Sequence, residues 1–340
     1  MVLERDAAGS HASRVAAGML AASAEVGFEE FDLYALCADA LRRWPRFAAE
    51  LEEDSGMKVD YRSNGTMVVA RDRDGAESLR RAYEFQREHG FSVRWLSRDE
   101  ALDLEPFLSP RIPAVIHAPE DHAVDNRAVI RALVEAIGRL GGTVRERAEV
   151  VRLHGTAVEL ADGTVLEGER VVLAAGPWSR DIPGLPESDR PPVRPVKGQI
   201  LELRMQAPFK LTHVVRGARA YLVPRSDGRL IVGATSEEMG YNTELTAGGI
   251  WSVLDGAWEL VPGIHDLPVI GMDVGLRPGS RDNQPLVGWS SVPGLYIATG
   301  HYRHGVLLSA TTAEASADAL MGAELPDVLH PFSPGRFKMA

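Results

Sequence analysis

The sequence predicts an α/β fold, α+β overall, in which a layer assembled from discontinuous segments carries an inserted domain with an antiparallel sheet. Strand and helix patterns alternate near both ends of the 340-residue chain, and the middle consists mostly of strand patterns. A stretch rich in proline, 183–195, connects two of these regions. We therefore expect one domain from residues 1–55, 120–182 and 270–335, and a second domain from residues 56–119 and 183–269.

Helices are expected mainly in the first part of the chain, where apolar residues recur at helical spacing. Ser97 and Glu100 have the spacing of a capping box, and Asp125 or Asn126 is expected to cap the helix that follows. Glycines typical of helix ends close most of these segments. The predicted helices here are 28–56, 76–90, 97–106 and 125–142, with one strand at 66–71.

Strand patterns dominate the rest of the chain. Asp162-Gly163 and Asp227-Gly228 each lie between two of them, which predicts hairpin turns. The last helix is expected to begin near Gly305 or Val306. The predicted helices are 248–262 and 305–322, and the predicted strands are 143–147, 149–155, 156–160, 164–168, 169–176, 198–205, 220–225, 229–235, 268–277, 285–288 and 295–300.

Composition and charge exclude several classes of protein. A formal net charge of −11 argues against non-specific nucleic-acid binding, and no apolar run approaches the ~18 residues that a membrane-spanning helix needs. The start, MVLERD, lacks the basic and apolar regions of a secretory signal. The one cysteine, Cys37, excludes an internal disulfide and is expected to be a buried structural thiol. We expect a soluble, cytoplasmic protein with no metal site, no nucleic-acid partner and no membrane span.

Glu4 ends a short apolar strand pattern at the start of the chain. In nucleotide-binding βαβ units, an acid at the end of the second strand accepts hydrogen bonds from ribose hydroxyls. Strands also end in charged residues for solubility alone, so this interpretation needs support from other residues.

A second strand pattern, ERVVLAAG, runs into Gly176 through small residues. Small residues at the end of a strand let the backbone approach a ligand closely. A buried strand that simply enters a turn has the same pattern, and both interpretations stay open for this stretch alone.

Four large polar side chains, His301 to His304, precede the last predicted helix. The free N–H groups and positive dipole end of a helix favour negative charge, such as the charge that accumulates on the N1–C2=O edge of a reduced flavin. Burying four such side chains without a partner is costly, so the loop predicts a ligand site. A solvated loop is the alternative.

Arg277 ends an apolar strand pattern and precedes Pro278-Gly279. An arginine in this position can hold a carboxylate by two parallel hydrogen bonds. The alternative is a surface salt bridge with Asp273 or Asp282.

Taken together, these stretches resemble the D-amino-acid oxidase superfamily of FAD-dependent enzymes, and most closely its glycine oxidases of thiamine biosynthesis. The matching stretches are VLERD, ASRVAAGML, ERVVLAAGPWS, VKGQILEL, YLVPRSDGRLIVGAT, GLRPGSRDNQPLVG and ATGHYRHGVLL. They run in order from Val2 to about Met321, which is nearly the whole chain. The resemblance implies that the first of the two expected domains is a Rossmann-like FAD-binding domain and that the second binds the substrate.

The resemblance also implies roles for individual residues. Arg277 would hold the substrate carboxylate with help from Tyr221, and Arg303 would lie near the substrate end of the flavin. Met19 would form part of the pocket wall. The implied FAD contacts are Glu4 and Arg5 at the ribose, Val150 at the adenine, and His11, Ala12, Ser13, Ala17, Gly18, Met19, Ala175, Gly176, Trp178, His301, Tyr302, Arg303, His304, Gly305, Val306 and Leu307 along the pyrophosphate and flavin.

The implied reaction is the oxidative deamination of glycine or a similar small amino acid. Hydride transfer to FAD N5 would give an imino acid, O2 would re-oxidise the flavin and release hydrogen peroxide, and water would give the 2-oxo acid and ammonia. The work is mainly positioning and electrostatics, so we nominate no general base. The expected partners are the amino acid and O2, and a homo-oligomer, tetramer or dimer, is expected.

Two features depart from the family pattern. Arg219 stands two residues before Tyr221, where similar proteins carry His, so sarcosine and D-amino acids stay open as substrates. No G-x-G-x-x-G follows a strand pattern, so we expect an N-terminally shortened member with an exposed sheet edge and weak FAD affinity. A D-amino-acid dehydrogenase, a sarcosine-oxidase-like enzyme and a flavin-free remnant without activity stay open as alternatives. An NAD-linked dehydrogenase needs the same glycine motif and ranks last.

Overall fold

The protein has seven α-helices and eighteen strands within the residues that its computed structural model describes, which are 1–25, 27 and 30–337. The helices are α1 (Ala12–Val15), α2 (Phe31–Ser55), α3 (Arg73–Glu88), α4 (Arg98–Leu104), α5 (Asn126–Arg139), α6 (Ala247–Leu260) and α7 (Ser309–Leu320). The strands are β1 (Val2–Leu3), β2 (Met19–Leu20), β3 (Thr66–Ala70), β4 (Arg94–Leu96), β5 (Ala114–Ala118), β6 (His122–Ala123), β7 (Val144–Arg145), β8 (Val150–His154), β9 (Ala157–Leu160), β10 (Val165–Glu167), β11 (Val171–Leu173), β12 (Arg194–Arg204), β13 (Val214–Arg216), β14 (Tyr221–Pro224), β15 (Arg229–Gly233), β16 (Val269–Gly279), β17 (Leu286–Trp289) and β18 (Leu295–Thr299).

An eight-stranded sheet forms the largest layer, in the order β16-β12-β15-β14-β13-β3-β5-β4. All neighbouring strands in it are antiparallel except β13 and β3, which run parallel. Leu201 and Leu203 of β12 pack in one buried cluster with Val253 and Ala257 of α6, so removal of apolar surface from water holds this helix against the sheet. The sheet confirms the antiparallel-rich middle that the sequence predicts.

Two parallel strand pairs lie outside the large sheet. These are β1 with β7, and β11 with β18, to which β17 adds an antiparallel strand. Parallel pairing brings the carboxyl ends of β11 and β18 to one edge. There the hydroxyl of Thr299 donates to the carbonyl of Gly176 at 3.0 Å, and the hydroxyl of Ser179 donates to Thr299 Oγ1 at 3.0 Å. The two loops that the sequence predicts to approach a ligand therefore meet at this edge.

Helices α2, α5 and α7 share a second buried core. Their apolar positions form a cluster that includes Trp44 and Cys37, both 0% exposed. Trp44 Nε1 donates to the carbonyl of Leu307 at 2.7 Å, which ties α2 to the turn before α7. Cys37 is a free, buried thiol, as predicted, and burial raises its pKa.

The local turn and cap predictions are confirmed. Asp162-Gly163 joins the antiparallel strands β9 and β10, and Asp227-Gly228 joins β14 and β15. Ser97 and Glu100 form the capping box of α4. Asp125 caps α5 by accepting hydrogen bonds from the amides of the first helical turn.

The prediction that the last helix begins near Gly305 or Val306 is wrong, because α7 begins at Ser309. A 3-10 turn at Tyr302–His304 and a further turn precede it. The amides of His304 and Ser309 each donate to the carbonyl three residues earlier, as in a 3-10 turn, and the carbonyl of Leu307 accepts from Nε1 of Trp44. The predicted start of the first long helix at Phe28 lies outside the described residues, and α2 begins at Phe31.

Several strands were not predicted. β5 is buried along its whole length, so it lacks the alternation that marks a half-buried strand, and β4 and β13 have only three residues each. β16 lies in the large sheet, although most of its residues belong to the segment 270–335 that is predicted to form one domain with 1–55 and 120–182. The division into two domains stays a prediction. Among the described helices, none combines the length and the hydropathy that crossing a membrane requires.

Candidate active site

A cavity of about 510 Å³ lies where the segment 12–19, the large sheet and the loop after β18 meet. Its wall is built from parts of the chain that are far apart in sequence. The predicted site residues that line it are Ala12, Ser13, Ala17, Gly18, Met19, Gly176, Tyr221, Arg277, His301, Tyr302, Arg303, Gly305 and Val306. The fold therefore brings most of the predicted flavin and substrate residues to one place.

Other predicted contacts lie outside the wall of this cavity. The Arg5 guanidinium lies 4.3 Å from the centre of the Trp178 ring, and the His11 ring centre lies 4.8 Å from it. Glu4 accepts a hydrogen bond from the Asp6 amide at 3.0 Å. The remaining predicted residues outside the wall are Val150, Ala175, His304 and Leu307. The roles proposed for all of these in FAD binding stay predictions.

Side chains from other elements fix the backbone of the segment 12–19. Asn126 Nδ2 donates to the carbonyls of Ser13 at 2.6 Å and Arg14 at 3.0 Å. Arg225 Nη2 donates to the carbonyl of Ala17 at 2.7 Å. Arg225 is 3% exposed, and burial lowers its pKa to about 10, so it still carries its charge near neutral pH. These bonds hold the wall in place without help from a ligand.

Gly18 shows why this wall is made of small residues. Its φ is +69°, and a Cβ there would lie 2.0 Å from the carbonyl oxygen of Val124, so only glycine fits. Ala12, Ala16 and Ala17 also contribute little side-chain volume. The space in front of this backbone is therefore free for a flat ligand.

Arg277 lines the cavity, and its guanidinium forms no salt bridge with a described carboxylate. A Cβ on Gly198 of β12 would lie 2.5 Å from Nη1 of Arg277, so the guanidinium lies directly over that glycine. Nη1 donates to the carbonyl of Thr235 at 3.1 Å. Among the described carboxylates, none lies within 4.0 Å of it.

The alternative interpretation of Arg277 as half of a surface salt bridge fails for both proposed partners. Asp273 pairs with Arg127 at 3.0 Å, and Asp282 pairs with Arg336 at 2.9 Å. Apart from its hydrogen bonds with the Thr235 carbonyl and the Tyr221 hydroxyl, Arg277 keeps N–H groups that can bind an anion.

Tyr221 lies over a second glycine, on the strand next to β12. A Cβ on Gly233 of β15 would lie 2.4 Å from the Tyr221 hydroxyl oxygen. Burial raises the pKa of Tyr221, which keeps the hydroxyl protonated and able to donate a hydrogen bond, and its charge interaction with Arg277 shows that the two groups are close. Glycines on neighbouring strands thus make room for both proposed carboxylate ligands, and this signal was missed in the sequence.

The loop after β18 is partly buried: His304 is buried, His301 and Tyr302 are partly exposed, and Arg303 is exposed, so the alternative of a solvated loop fails for His304. His304 is 3% exposed, and its Nε2 has no hydrogen-bond partner within the described part of the chain. His301 Nε2 lies 3.0 Å from the Thr312 hydroxyl oxygen, and burial lowers the pKa of His301 to about 4, so it is neutral near pH 7. Arg303 is exposed and supplies the positive charge of this loop.

Sequence reasoning missed Glu25 and Arg216, which also line the cavity. Glu25 is an isolated acid directly after the small residues of the stretch AASA, and this pattern could have indicated a site residue. Arg219, the residue that departs from the family pattern, pairs with Asp255 at 2.8 Å and with Glu259 at 3.5 Å. Its charge is therefore neutralised by α6.

Comparisons with known proteins agree with this geometry. The family described as FAD dependent oxidoreductase matches residues 1–319. The bifunctional protein ThiO/ThiG of Synechocystis sp. is 35% identical, over 99% of this chain and 50% of its own length. Glycine oxidase of Geobacillus kaustophilus is 33% identical, over 98% of this chain and 89% of its own length. The chain thus spans about half the length of the bifunctional relative.

Solved structures of FAD-dependent oxidoreductases are also similar to this chain. The crystal structure of glycine oxidase from Geobacillus kaustophilus superimposes with a TM-score of 0.91 at 32% identity, covering 98% of this chain and 91% of that one. Iminodiacetate oxidase from Chelativorans sp. BNC1 gives a TM-score of 0.86 at 27% identity, with 98% and 91% covered. L-proline dehydrogenase from P. horikoshii, at 19% identity and a TM-score of 0.81, shares the fold.

Proposed function

The chain belongs to the family of FAD-dependent oxidoreductases, and from that membership we propose that it oxidises glycine or a similar small amino acid. The products would be an imino acid, then the 2-oxo acid and ammonia, with O2 as electron acceptor and hydrogen peroxide as by-product. The names of its relatives, glycine oxidase and ThiO/ThiG, support both this substrate and a role in thiamine biosynthesis. The arginine and tyrosine that share the cavity wall carry the proposal, because they are the groups that a carboxylate substrate needs.

The cavity fits the ring end of FAD. Gly176, at a φ of +55°, lines the cavity, and a Cβ there would meet no atom within 4 Å, so its backbone faces open space. The unpartnered Nε2 of His304 beside the wall offers a further polar group. FAD, when bound, supplies the acceptor for two electrons. The residues that would hold its ring are Ala12, Ser13, Ala17, Gly18, Met19, Gly176, His301, Tyr302, Gly305 and Val306.

Arg277 and Tyr221 would take the substrate's α-carboxylate. The guanidinium donates to the Thr235 carbonyl and bonds the Tyr221 hydroxyl, and its other N–H groups would donate to the carboxylate oxygens. The Tyr221 hydroxyl would donate a third hydrogen bond. Fixing the carboxylate at two points leaves the α-carbon little freedom to turn, which is the positioning that the reaction requires.

Apolar side chains would keep water away from this site. Val129, Ile130 and Leu133 of α5 and Val306 of the loop line the same cavity. Exclusion of water strengthens the attraction between the Arg277 guanidinium and a bound carboxylate. His301, being neutral, adds no competing charge.

We also propose that the protein acts in the cytoplasm as a homo-oligomer, a tetramer or a dimer. Its exposed apolar side chains support self-association. Trp251 and Trp258 of α6 are 67% and 48% exposed, and Ile270 and Met272 on the edge strand β16 are 41% and 49% exposed. Apolar patches of this kind mark association surfaces.

The visible absorption spectrum of the purified protein, before and after glycine is added without O2, tests the proposed function. We expect a flavin spectrum that bleaches with glycine, and stoichiometric hydrogen peroxide when O2 is admitted. If sarcosine or a D-amino acid bleaches the flavin and glycine does not, that compound is assigned as the substrate in place of glycine. Bleaching without peroxide on re-oxidation would point to a dehydrogenase, and a colourless protein would refute the assignment.

A further inference from the structure

Glu25 is the one acidic side chain in the cavity wall among the described residues. It is 9% exposed, and the same wall carries four arginines, Arg216, Arg219, Arg277 and Arg303. A buried carboxylate loses its hydration, so it needs compensating partners. The arginines supply the opposite charge, but within the described residues no hydrogen-bond donor reaches the carboxylate oxygens.

Arg216 accounts for only part of the compensation. Its Nη1 lies 3.4 Å from Oε1 of Glu25, and the same nitrogen donates a hydrogen bond to the carbonyl of Ala24. Within the described residues, no group donates a hydrogen bond to the Glu25 carboxylate. The carboxylate therefore keeps its acceptor positions free for a ligand in the cavity.

The backbone before Glu25 is fixed by contacts from other elements. The Asp121 carboxylate accepts hydrogen bonds from the amides of Ser23 and Ala24, each at 3.0 Å. Gln86 Nε2 donates to the carbonyl of Ser23 at 2.9 Å. Asp121 is 0% exposed and Gln86 is 7% exposed, so these bonds are protected from water. Such a rigid mount is what a ligand-binding side chain requires.

Glu25 is negatively charged in this setting. Burial raises its pKa, but attraction to Arg216, His304, Arg303 and Arg277 outweighs burial, and the pKa is lowered overall. Glu25 also interacts electrostatically with Tyr221. An anion is thus held within Coulombic reach of both proposed carboxylate ligands.

We propose that Glu25 binds the ammonium group of the substrate and selects amino acids over 2-hydroxy acids. The inference rests on the proposed function, in which Arg277 takes the α-carboxylate. A free amino acid carries both charges one carbon atom apart, and a cavity lined by an arginine and a glutamate offers a partner of opposite charge to each. A 2-hydroxy acid offers no cation to Glu25, so it lacks the attraction that an ammonium group would gain at this carboxylate.

Other acids near the cavity cannot serve this purpose. Asp255 and Glu259 are paired with Arg219, and neither lines the cavity. The competing interpretation is that Glu25 serves only as the counter-ion of Arg216. That interpretation predicts no discrimination between a ligand with an ammonium group and a ligand without one.

A matched pair of ligands separates the two interpretations. 2-Aminoisobutyrate and 2-hydroxyisobutyrate differ only in the ammonium or hydroxyl group, and neither has an α-hydrogen, so neither can be oxidised by loss of hydride. Calorimetric titration of the FAD-loaded protein gives a dissociation constant for each. We expect Glu25→Gln to raise the constant for the amino compound at least about tenfold and to leave that for the hydroxy compound unchanged or lower.

Two further variants make the test specific. Glu25→Asp keeps the charge and should retain a preference for the amino compound. Glu202→Gln removes another buried carboxylate, which pairs with Arg127 at 2.7 Å away from the cavity, and should alter neither constant. If Glu25→Gln does not fold, Glu25→Asp and Glu25→Ser are compared instead, and only the variant that keeps the charge should prefer the amino compound.

The outcomes distinguish this inference from the proposed function. If the wild type binds both compounds and loss of the charge at position 25 changes the two constants equally, Glu25 is not the ammonium site, although the cavity remains a carboxylate site. If the wild type binds neither compound, the inference fails, whereas the proposed function is decided separately by whether glycine bleaches the flavin.

Discussion

Gly198→Ala tests the carboxylate site by moving Arg277 instead of removing it. A Cβ at position 198 would lie 2.5 Å from Nη1 and 2.7 Å from both Cζ and Nη2 of Arg277. Ordinary contacts of a Cβ begin near 3.4 Å, so the guanidinium must shift by about 1 Å. The obstructed group is the far end of a flexible side chain, and the backbone need not move.

The shift should cost function much more than stability. Gly-to-Ala replacement in a compatible backbone favours folding by about 0.4–1 kcal/mol through the unfolded chain, which offsets the repacking of Arg277. A misplacement of about 1 Å at a substrate-positioning group can cost about 100-fold in rate. We therefore expect kcat/KM for glycine to fall roughly 10- to 100-fold while the melting temperature changes by less than about 4 °C.

Gly271→Ala is the matched control, because it adds the same methyl group to β16, the strand that carries Arg277. The nearest atom to its Cβ would be Cβ of Glu202 at 3.5 Å, an ordinary contact. Steady-state kinetics with glycine, flavin content and thermal unfolding are measured for both variants. If Gly198→Ala retains the kcat/KM of the control, the guanidinium of Arg277 does not set the position of the substrate, and the reasoning is refuted.

Three further predictions concern the site and the stability of the protein. Arg277→Ala should raise KM for glycine at least about tenfold without loss of bound flavin, and an unchanged KM in steady-state assays would exclude Arg277 as the carboxylate ligand. Gly305→Val should lower the flavin content of the purified protein, because its branched side chain would extend into the cavity. Gly305→Ala is the control and should bind flavin normally, because its Cβ would lie 3.6 Å from Cβ of His301, an ordinary contact. Burial and the neighbouring His213 lower the pKa of His117 from 6.5 to about 4, so between these values the unfolded chain binds a proton that the folded protein does not. The free energy of unfolding should therefore decrease as the pH falls from 6.5 towards 4; urea unfolding at pH 7 and pH 5 should show a smaller loss for His117→Gln, and an equal loss would contradict the assignment.

The sequence predicted local structure correctly where that structure depends on one short stretch of residues. The turns at Asp162-Gly163 and Asp227-Gly228 and the capping box of Ser97 depend on neighbouring residues alone, and each was predicted. The start of α7 was predicted wrongly, and the turn before it bonds Trp44 through the Leu307 carbonyl, a contact between distant residues that a local pattern does not reveal. The parallel pairing of β13 with β3 could not be predicted either, because these strands are also far apart in sequence.

Some residues of the candidate site could likewise be predicted from short motifs, and others could not. Residues in recognisable motifs, such as Met19, Tyr221 and Arg277, were predicted, and the cavity contains them. The position of Glu25 depends on Asp121 and Gln86, which the sequence gives no reason to place beside it. The space that Gly198 provides for Arg277 also appears only when the register of β12 against β16 is known.

The buried state of Cys37 has a consequence for the lifetime of the protein during turnover. Hydrogen peroxide oxidises the thiolate form of cysteine, and its attack requires access to the sulfur. Cys37 is 0% exposed, and burial holds it in the thiol form, so the one cysteine of the chain is shielded from the oxidant that the proposed reaction releases. Among the described residues that line the cavity, Met19 alone carries sulfur, and its thioether would meet the oxidant that the proposed reaction releases there. Damage that accumulates with catalysis should therefore begin as methionine sulfoxide at the site and leave the thiol intact.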